Sequence, residues 1–336
     1  MTSSQLERAR RLLCAMQDSI RETVIAARNR EAANFSRVVG STAADTIYHV
    51  DRLSEAALFA WFDESWPRAW PVEIVMEGLA DDQVATFPRG TPVAKTILKC
   101  IIDPIDGTRS LMYDKRSAWA LAALAPQRGQ RTDLRDIVVA AMTELPTSKQ
   151  WRADQLSAVR GCGPRGVVAH AFDLRTRRRR AFALRPSQAK DFKHGFASFA
   201  RFFPEGKAFT AQIEEALWRK LHGPSAPTAL VFDDQYISTG GQLYELAVGH
   251  DRMLGDLRPL VFAKLGLETS LTCHPYDICP ELIFRELGGV IETPLGLELR
   301  APLDTTTAIA WVGYANSTLA NTVRPFLNRL VKYHCS

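Results

Sequence analysis

The sequence predicts an α/β protein, on three observations. Short β-branched runs and segments of helical periodicity both occur in the first half, the second half alternates helix and strand patterns, and 46% of the 336 residues are hydrophobic. A chain of this length and composition can bury a large core and suggests about two domain-sized units. We expect an N-terminal α+β half at residues 1–165 and a C-terminal α/β half at residues 166–336.

The individual elements follow from periodicity and from turn-forming residues. In the first half the pattern predicts helices at 6–30 and 53–63, strands at 72–76, 96–102, 118–125 and 137–142, and a hairpin that pairs 167–174 with 180–184. In the second half it predicts helices at 208–222, 242–248 and 278–287, a short strand at 229–232, and a C-terminal helix capped by Asn316. Gly288 is expected to end the third of these helices.

The tip of the predicted hairpin is strongly basic, because arginine occupies position 175 and positions 177–180. A basic run can indicate nucleic-acid binding. The formal net charge of the whole chain is only +5, however, and no nucleic-acid-binding motif accompanies the run. A solvated hairpin tip is the favoured interpretation, so we expect no nucleic-acid partner and keep a nucleic-acid-binding protein as an alternative.

Other sequence features favour a soluble cytoplasmic protein with no membrane partner. No apolar run approaches the roughly 20 residues of a membrane-spanning helix, and the N-terminus lacks the apolar region of a signal peptide. The six cysteines include no Cys-x-x-Cys pair, which makes a disulfide framework unlikely to be the basis of the fold. Zinc binding by Cys273, His274 and Cys279 is disfavoured because their spacing fits no common site.

The most informative stretch is 101–110, where two carboxylates end an apolar run. Pro104 biases Asp103 toward extended geometry, and Gly107 permits close approach of a ligand to the backbone. Magnesium takes oxygen ligands, so Asp103, Asp106 and the carbonyl of Ile105 could hold one or two ions beside a phosphate. The alternative is an ordinary Asp-Pro turn with an Asx-type cap.

Asp-Pro-Ile-Asp-Gly-Thr at 103–108 resembles the central signature of the inositol monophosphatase family. This family comprises magnesium-dependent, lithium-sensitive phosphomonoesterases and includes bisphosphate nucleotidases and fructose bisphosphatases. Further similarity lies in Val50-Asp51, in Val75-Met76-Glu77-Gly78, in the segment 275–280 and in Glu286-Leu287-Gly288-Gly289-Val290. Order and approximate spacing agree across 45–125 and 236–300, whereas 165–235 shows no clear match.

The resemblance implies a layered αβαβα sandwich, of the inositol monophosphatase and fructose bisphosphatase type, with the carboxylates collected between two halves. It implies a magnesium-dependent phosphomonoesterase that hydrolyses a small phosphorylated metabolite, an inositol or sugar monophosphate, by two-metal activation of water. It also suggests a homodimer. The N-terminal half would carry most metal ligands, and the C-terminal half would add one ligand and the substrate contacts.

Matched motif by motif, the resemblance also implies roles for individual residues. One Mg²⁺ would bind Glu77, Asp103 and the Ile105 carbonyl, and a second would bind Asp103, Asp106 and Asp277. Thr108, paired with Asp51, would activate the water, and the N–H groups of Gly107 and Thr108 would bind the phosphate. Asp106 would relay a proton to the leaving alkoxide. From position alone, Asp51 and Asp277 also fit helix-capping roles.

Three departures from the family pattern leave the substrate open. Gly78 replaces the second glutamate of the family's pair, which would weaken a loosely held metal and allows a non-catalytic phosphometabolite-binding protein as an alternative. Tyr276 replaces a tryptophan. Arg109, directly after the signature, resembles the 3'(2'),5'-bisphosphate nucleotidase branch, because a guanidinium group suits a second phosphate. Arg109, Asp256 and Arg258 are candidate substrate contacts, with Arg258 as a second cation near the pocket.

Overall fold

The computed structural model describes residues 1–30, 38–41, 46–79, 83–223 and 230–335. The elements up to residue 181 are α1 (Ser3–Arg30), β1 (Val38–Ser41), β2 (Thr46–Tyr48), α2 (His49–Ser65), β3 (Val72–Met76), β4 (Ala85–Phe87), β5 (Leu98–Asp106), α3 (Thr108–Met112), β6 (Ala118–Pro126), β7 (Val139–Leu145), β8 (Arg152–Val159), α4 (Gly163–Gly166), β9 (Val168–Asp173) and β10 (Arg179–Ala181). They are followed by β11 (Gly195–Phe199), α5 (Lys207–His222), β12 (Val231–Phe232), α6 (Thr239–Val248), β13 (Asp251–Asp256), α7 (Arg258–Leu265), α8 (Pro275–Ile278), α9 (Glu281–Glu286), β14 (Val290–Glu292), β15 (Trp311–Tyr314) and α10 (Ser317–Cys335).

The larger sheet has eight strands in the order β10-β9-β8-β7-β6-β5-β3-β4. Its neighbouring strands are antiparallel except β3 and β5, which are parallel. Helices α1 and α2 cover one face, where Leu13 and Ile20 of α1 and Leu58 of α2 are fully buried against the sheet. The apolar residues at helical spacing on α1 therefore form the face that contacts the sheet, as expected for an amphipathic helix.

The smaller sheet has five strands in the order β12-β11-β13-β15-β14. Helices α6, α8 and α9 lie between the two sheets, and α5, α7 and α10 cover the outer face of the smaller sheet. The layers are thus helix, sheet, helix, sheet, helix. This arrangement confirms the predicted αβαβα sandwich.

Several predicted elements match closely, and one is wrong. Strand β3 has the predicted bounds, and the β9–β10 hairpin pairs as expected. The helix predicted at 278–287 begins three residues later, as α9 at Glu281 with Pro280 at its N-cap, and Ile278 is instead the last residue of α8. Proline lacks the N–H that would continue the helical ladder from α8, so the chain starts a new helix there. Residue 229 of the strand predicted at 229–232 lies outside the described residues.

The basic hairpin tip is not simply solvated. Arg177 forms an ion pair with Glu22 and Arg179 with Asp18, and both acids belong to α1. Arg175 stacks over Trp151 with 4.9 Å between the guanidinium carbon and the ring centroid. Exposed ion pairs add little stability each, but the two pairs join the tip to the first helix, and the Arg175 contact joins it to the turn before β8.

The strands on both sides of residue 165 belong to the larger sheet, and the chain passes to the smaller sheet between Ala181 and Gly195. The division into halves at 165 and 166 remains a prediction. Within the described residues, no helix combines the length and apolarity needed to cross a membrane.

Candidate metal centre

Asp103 and Asp106 both lie in β5, which extends to Asp106 instead of ending at Ile102. Asp103 pairs with Leu121 of β6 and Asp106 with Trp119, so three steps along β5 match two steps along β6. In a regular strand, residues three apart point to opposite faces. The bulge changes that alternation and allows both carboxylates to reach the same site.

Asp277 reaches the same place from α8. One carboxylate oxygen from each of Asp103, Asp106 and Asp277 lies within 4.8 Å of the others. Asp277 is held by its own turn, since the His274 N–H donates to its Oδ2 at 2.6 Å. It is therefore the N3 residue of a capping box whose N-cap is His274, and not the N-cap residue that its position in the sequence suggested.

The acids strongly affect one another's protonation. Burial raises the pKa of Asp103 well above its usual range, and the charges of Glu77, Asp106 and Asp277 act in the same direction. Burial also raises the pKa of Asp106 to about 8, with the charge of Asp277 as the second cause. Buried like charges of this kind are stabilised when a cation lies between them.

Glu77 directly follows β3, as the sequence predicted. Its N–H donates to the Ile102 carbonyl at 3.2 Å, which continues the parallel pairing of β3 with β5. The end of β3 thus lies beside Ile102, the residue before Asp103. This is why the charge of Glu77 is the largest electrostatic influence on the pKa of Asp103 after burial.

Thr108 and Asp51 also meet, although 57 residues separate them in the chain. The Thr108 hydroxyl lies 3.5 Å from Asp51 Oδ1 and donates to the Ile105 carbonyl at 2.8 Å. Asp51 lies in the first turn of α2 and not at its N-cap. The Ile105 N–H donates to Asp103 Oδ1 at 2.9 Å, so the Asx-type turn expected as the bland alternative exists within the site.

Gly107 links β5 to α3 with φ at +93°. A Cβ at this position would lie 3.0 Å from the Ile237 carbonyl oxygen and 3.0 Å from Ser238 Cβ. Both the backbone conformation and the close approach of the 237–238 segment therefore require glycine. The same approach brings the N-terminus of α6 to Asp106.

That contact with α6 was missed from the sequence. The Ser238 hydroxyl donates to Asp106 Oδ2 at 2.8 Å, and the Gly240 N–H donates to the same oxygen at 2.6 Å. Ser238 also caps α6 by accepting from the Gly241 N–H. The signal was a serine three residues before Gly241 at the start of an apolar helix, a pattern typical of an N-cap.

We expect Ser238→Ala to lower the affinity of the site for Mg²⁺ about tenfold, because hydrogen bonds to a ligand carboxylate fix its orientation. The variant also removes the cap of α6, which costs about 1 kcal/mol of stability. Ser238→Thr keeps a hydroxyl and is the control. Calorimetric titration with Mg²⁺ measures the effect, and an affinity equal to that of the wild type would show that the Gly240 N–H suffices.

Of the three candidate substrate contacts, Asp256 and Arg258 form a buried ion pair, whereas Arg109 lies in α3. Asp256 and Arg258 bind each other, with Arg258 Nε 2.9 Å from Asp256 Oδ1 and Nη2 2.6 Å from Oδ2. Asp256 is 1% exposed and Arg258 is 7% exposed. Arg109 lies half-buried in α3, next to Thr108. A substrate role for any of the three stays a prediction.

The residues present suit a divalent cation such as Mg²⁺. Asp103 is 1% exposed and Asp106 is 7% exposed, yet both face further carboxylates. Hard oxygen donors in this number are the ligands that magnesium prefers. Glu77, Asp103, Asp106 and Asp277 would hold the metal, with the Ile105 carbonyl adjacent.

By sequence comparison, the chain matches no family model and no curated protein. Solved structures nevertheless resemble it over nearly the whole length. The extragenic suppressor protein SuhB of Bartonella henselae is 15% identical with a TM-score of 0.62, and the match covers 96% of this chain and 97% of that protein. Fructose-1,6-bisphosphatase of Leishmania major is 13% identical with a TM-score of 0.66, covering 94% of this chain and 93% of that protein.

A third similar structure is a hypothetical protein of Pyrococcus horikoshii described as having similarities to inositol-1 monophosphatase. It is 12% identical with a TM-score of 0.60, and the match covers 97% of this chain and 98% of that protein. At these identities the likeness concerns the fold. The chain therefore has the same layered α/β fold as these three structures.

Proposed function

We propose that the protein is a magnesium-dependent phosphomonoesterase that hydrolyses a small phosphorylated metabolite, an inositol or sugar monophosphate. The observation that carries the proposal is the meeting of Asp103, Asp106 and Asp277 within 4.8 Å. The Thr108–Asp51 pair lies beside them. Two of the three similar structures, the fructose-1,6-bisphosphatase and the protein with similarities to inositol-1 monophosphatase, support the same reaction class.

Bound Mg²⁺ would neutralise the phosphate and lower the pKa of the attacking water. The chain's own groups orient the reactants. The Thr108 hydroxyl and Asp51 hold the water for attack on phosphorus, and the N–H groups of Gly107 and Thr108 donate to phosphate oxygens. Asp106 would relay a proton to the leaving oxygen. No group in this scheme needs to form a covalent intermediate.

The test is phosphate release from a panel of inositol, sugar and nucleotide phosphates, with Mg²⁺ and with EDTA. We expect release that depends on Mg²⁺ and is greatest for one monophosphate class. Magnesium-dependent binding of a phosphate ester with no release would instead establish the non-catalytic phosphometabolite-binding alternative. Absence of both would contradict the proposal.

A 3'(2'),5'-bisphosphate nucleotidase is the second candidate, because Arg109 directly follows Thr108 at the start of α3. A guanidinium group binds a second phosphate with two parallel hydrogen bonds. We expect Arg109→Ala to leave the turnover of inositol 1-phosphate within about threefold of wild type, since a rim cation contributes about 1 kcal/mol or less. A lysine variant, Arg109→Lys, keeps the charge and serves as the control.

The measurement compares inositol 1-phosphate with adenosine 3',5'-bisphosphate in the wild type and in both variants. A strong wild-type preference for the bisphosphate that disappears in Arg109→Ala would make the nucleotidase the better assignment.

A further inference from the structure

The carboxylate of Glu55 lies where the side chain of residue 78 would begin. Gly78 follows Glu77 with φ at +83°, and a Cβ built on it would lie 2.8 Å from Glu55 Oε1. A glycine at this position therefore leaves room beside Glu77 for an acid that comes from another element. That element is helix α2.

Glu55 lies four residues after Asp51 in α2, so the two acids share one face of the helix. Asp51 on that face meets Thr108. Burial raises the pKa of Glu55, and the charge of Asp51 raises it further, whereas the positive charge of Arg52 has the smallest effect of the three. Asp51 of α2 thus meets Thr108 after β5, and Glu55 of the same helix meets Gly78, the residue that follows Glu77 at the end of β3.

We infer that Glu55 supplies, from α2, the carboxylate that Gly78 cannot supply, and binds the cation next to Glu77 directly or through a water. This assignment rests on the proposed metal-dependent function. Carboxylates around one point repel each other unless a cation lies among them, and oxygen donors from separate elements commonly complete a magnesium site. The loss of a glutamate at position 78 would then be compensated by a residue that a comparison of the 75–78 motif alone does not reveal.

The experiment is calorimetric titration of the metal-free protein with Mg²⁺, without substrate, for the wild type, Glu55→Gln and Glu64→Gln. Glu64 is an exposed acid on the same helix and provides the matched control. We expect Glu55→Gln to weaken the binding of one Mg²⁺ about tenfold or to remove it from the stoichiometry, and Glu64→Gln to bind as the wild type does. Circular dichroism establishes that both variants are folded.

A second comparison tests the position of the carboxylate. A methyl group in Gly78→Ala would displace Glu55 Oε1, so this variant should bind the same Mg²⁺ more weakly. The double variant of Glu55→Gln with Gly78→Ala should bind Mg²⁺ no more weakly than Glu55→Gln alone, because both changes act on one carboxylate. Mg²⁺ binding in Glu55→Gln with wild-type stoichiometry and affinity would overturn the inference. If the wild type releases phosphate with Mg²⁺ in that case, the proposed function survives; if the wild type binds no Mg²⁺, both fail.

Discussion

Replacing Asp103 by asparagine is expected to lower magnesium-dependent phosphate release by at least about 10³-fold, because a metal-bound site supplies several kcal/mol of charge stabilisation in the transition state. Asp103 is 1% exposed and faces Glu77, Asp106 and Asp277. Asp106→Asn and Asp277→Asn should have effects of similar size, since the three carboxylates converge on one point. Near-normal turnover of any two variants at saturating Mg²⁺ would show that the two-metal assignment is wrong.

Asp103→Asn should lower activity but raise the stability of the metal-free protein at pH 8. The folded pKa of Asp103 lies well above its usual value, and that of Asp106 is raised to about 8. Each group therefore contributes stability that is fully present below its unfolded pKa of about 4 and is lost as the pH rises through the folded pKa. An asparagine at 103 cannot ionise, so the variant lacks the share of this pH-dependent loss of stability that belongs to Asp103.

Urea unfolding in EDTA at pH 5 and at pH 8 measures this second effect. We expect the wild type to lose more unfolding free energy between these pH values than Asp103→Asn does. Addition of Mg²⁺ at pH 8 should stabilise the wild type more than the variant. Asp191→Asn, a change on the exposed surface, is the control and should follow the wild type in both comparisons.

Much of the site could be predicted from the sequence because its residues belong to local patterns. An apolar β-branched run predicted β3 and the position of Glu77 at its end, and Asp-Pro-Ile-Asp-Gly-Thr placed two acids and a glycine turn in one stretch. The structure brings Asp51 and Asp277 to these residues as the motif comparison implied.

What could not be predicted depends on contacts between distant segments. The hydrogen bonds of Ser238 and Gly240 to Asp106 join positions more than 130 residues apart, and the approach of Glu55 to Gly78 joins a helix to a strand end. Neither leaves a periodic signal in the chain. The division of the helix at 278–287 was missed because proline tolerated in a first turn and proline between two helices look alike in sequence.

Thr108→Val is expected to lower kcat by about 10² to 10⁴-fold, the range typical of general acid–base groups, while leaving Mg²⁺ affinity within about threefold. The Thr108 hydroxyl lies 3.5 Å from Asp51 Oδ1 and 2.8 Å from the Ile105 carbonyl oxygen. When it donates its one hydrogen to Asp51, its oxygen can accept a hydrogen bond from a water and orient that water. Valine keeps the shape and removes the hydroxyl. Steady-state kinetics and calorimetric Mg²⁺ titration separate the two effects.

Asp51→Asn should lower kcat by a similar factor. The double variant should have a kcat only slightly below that of either single variant, because the effects of groups that act as one unit are not additive. Thr108→Ser keeps the hydroxyl and should retain most activity. A fall in Mg²⁺ affinity that parallels the fall in kcat would give Thr108 a different role, namely holding the Ile105 carbonyl for the metal. Full additivity of Thr108→Val and Asp51→Asn would contradict a shared role in orienting the water.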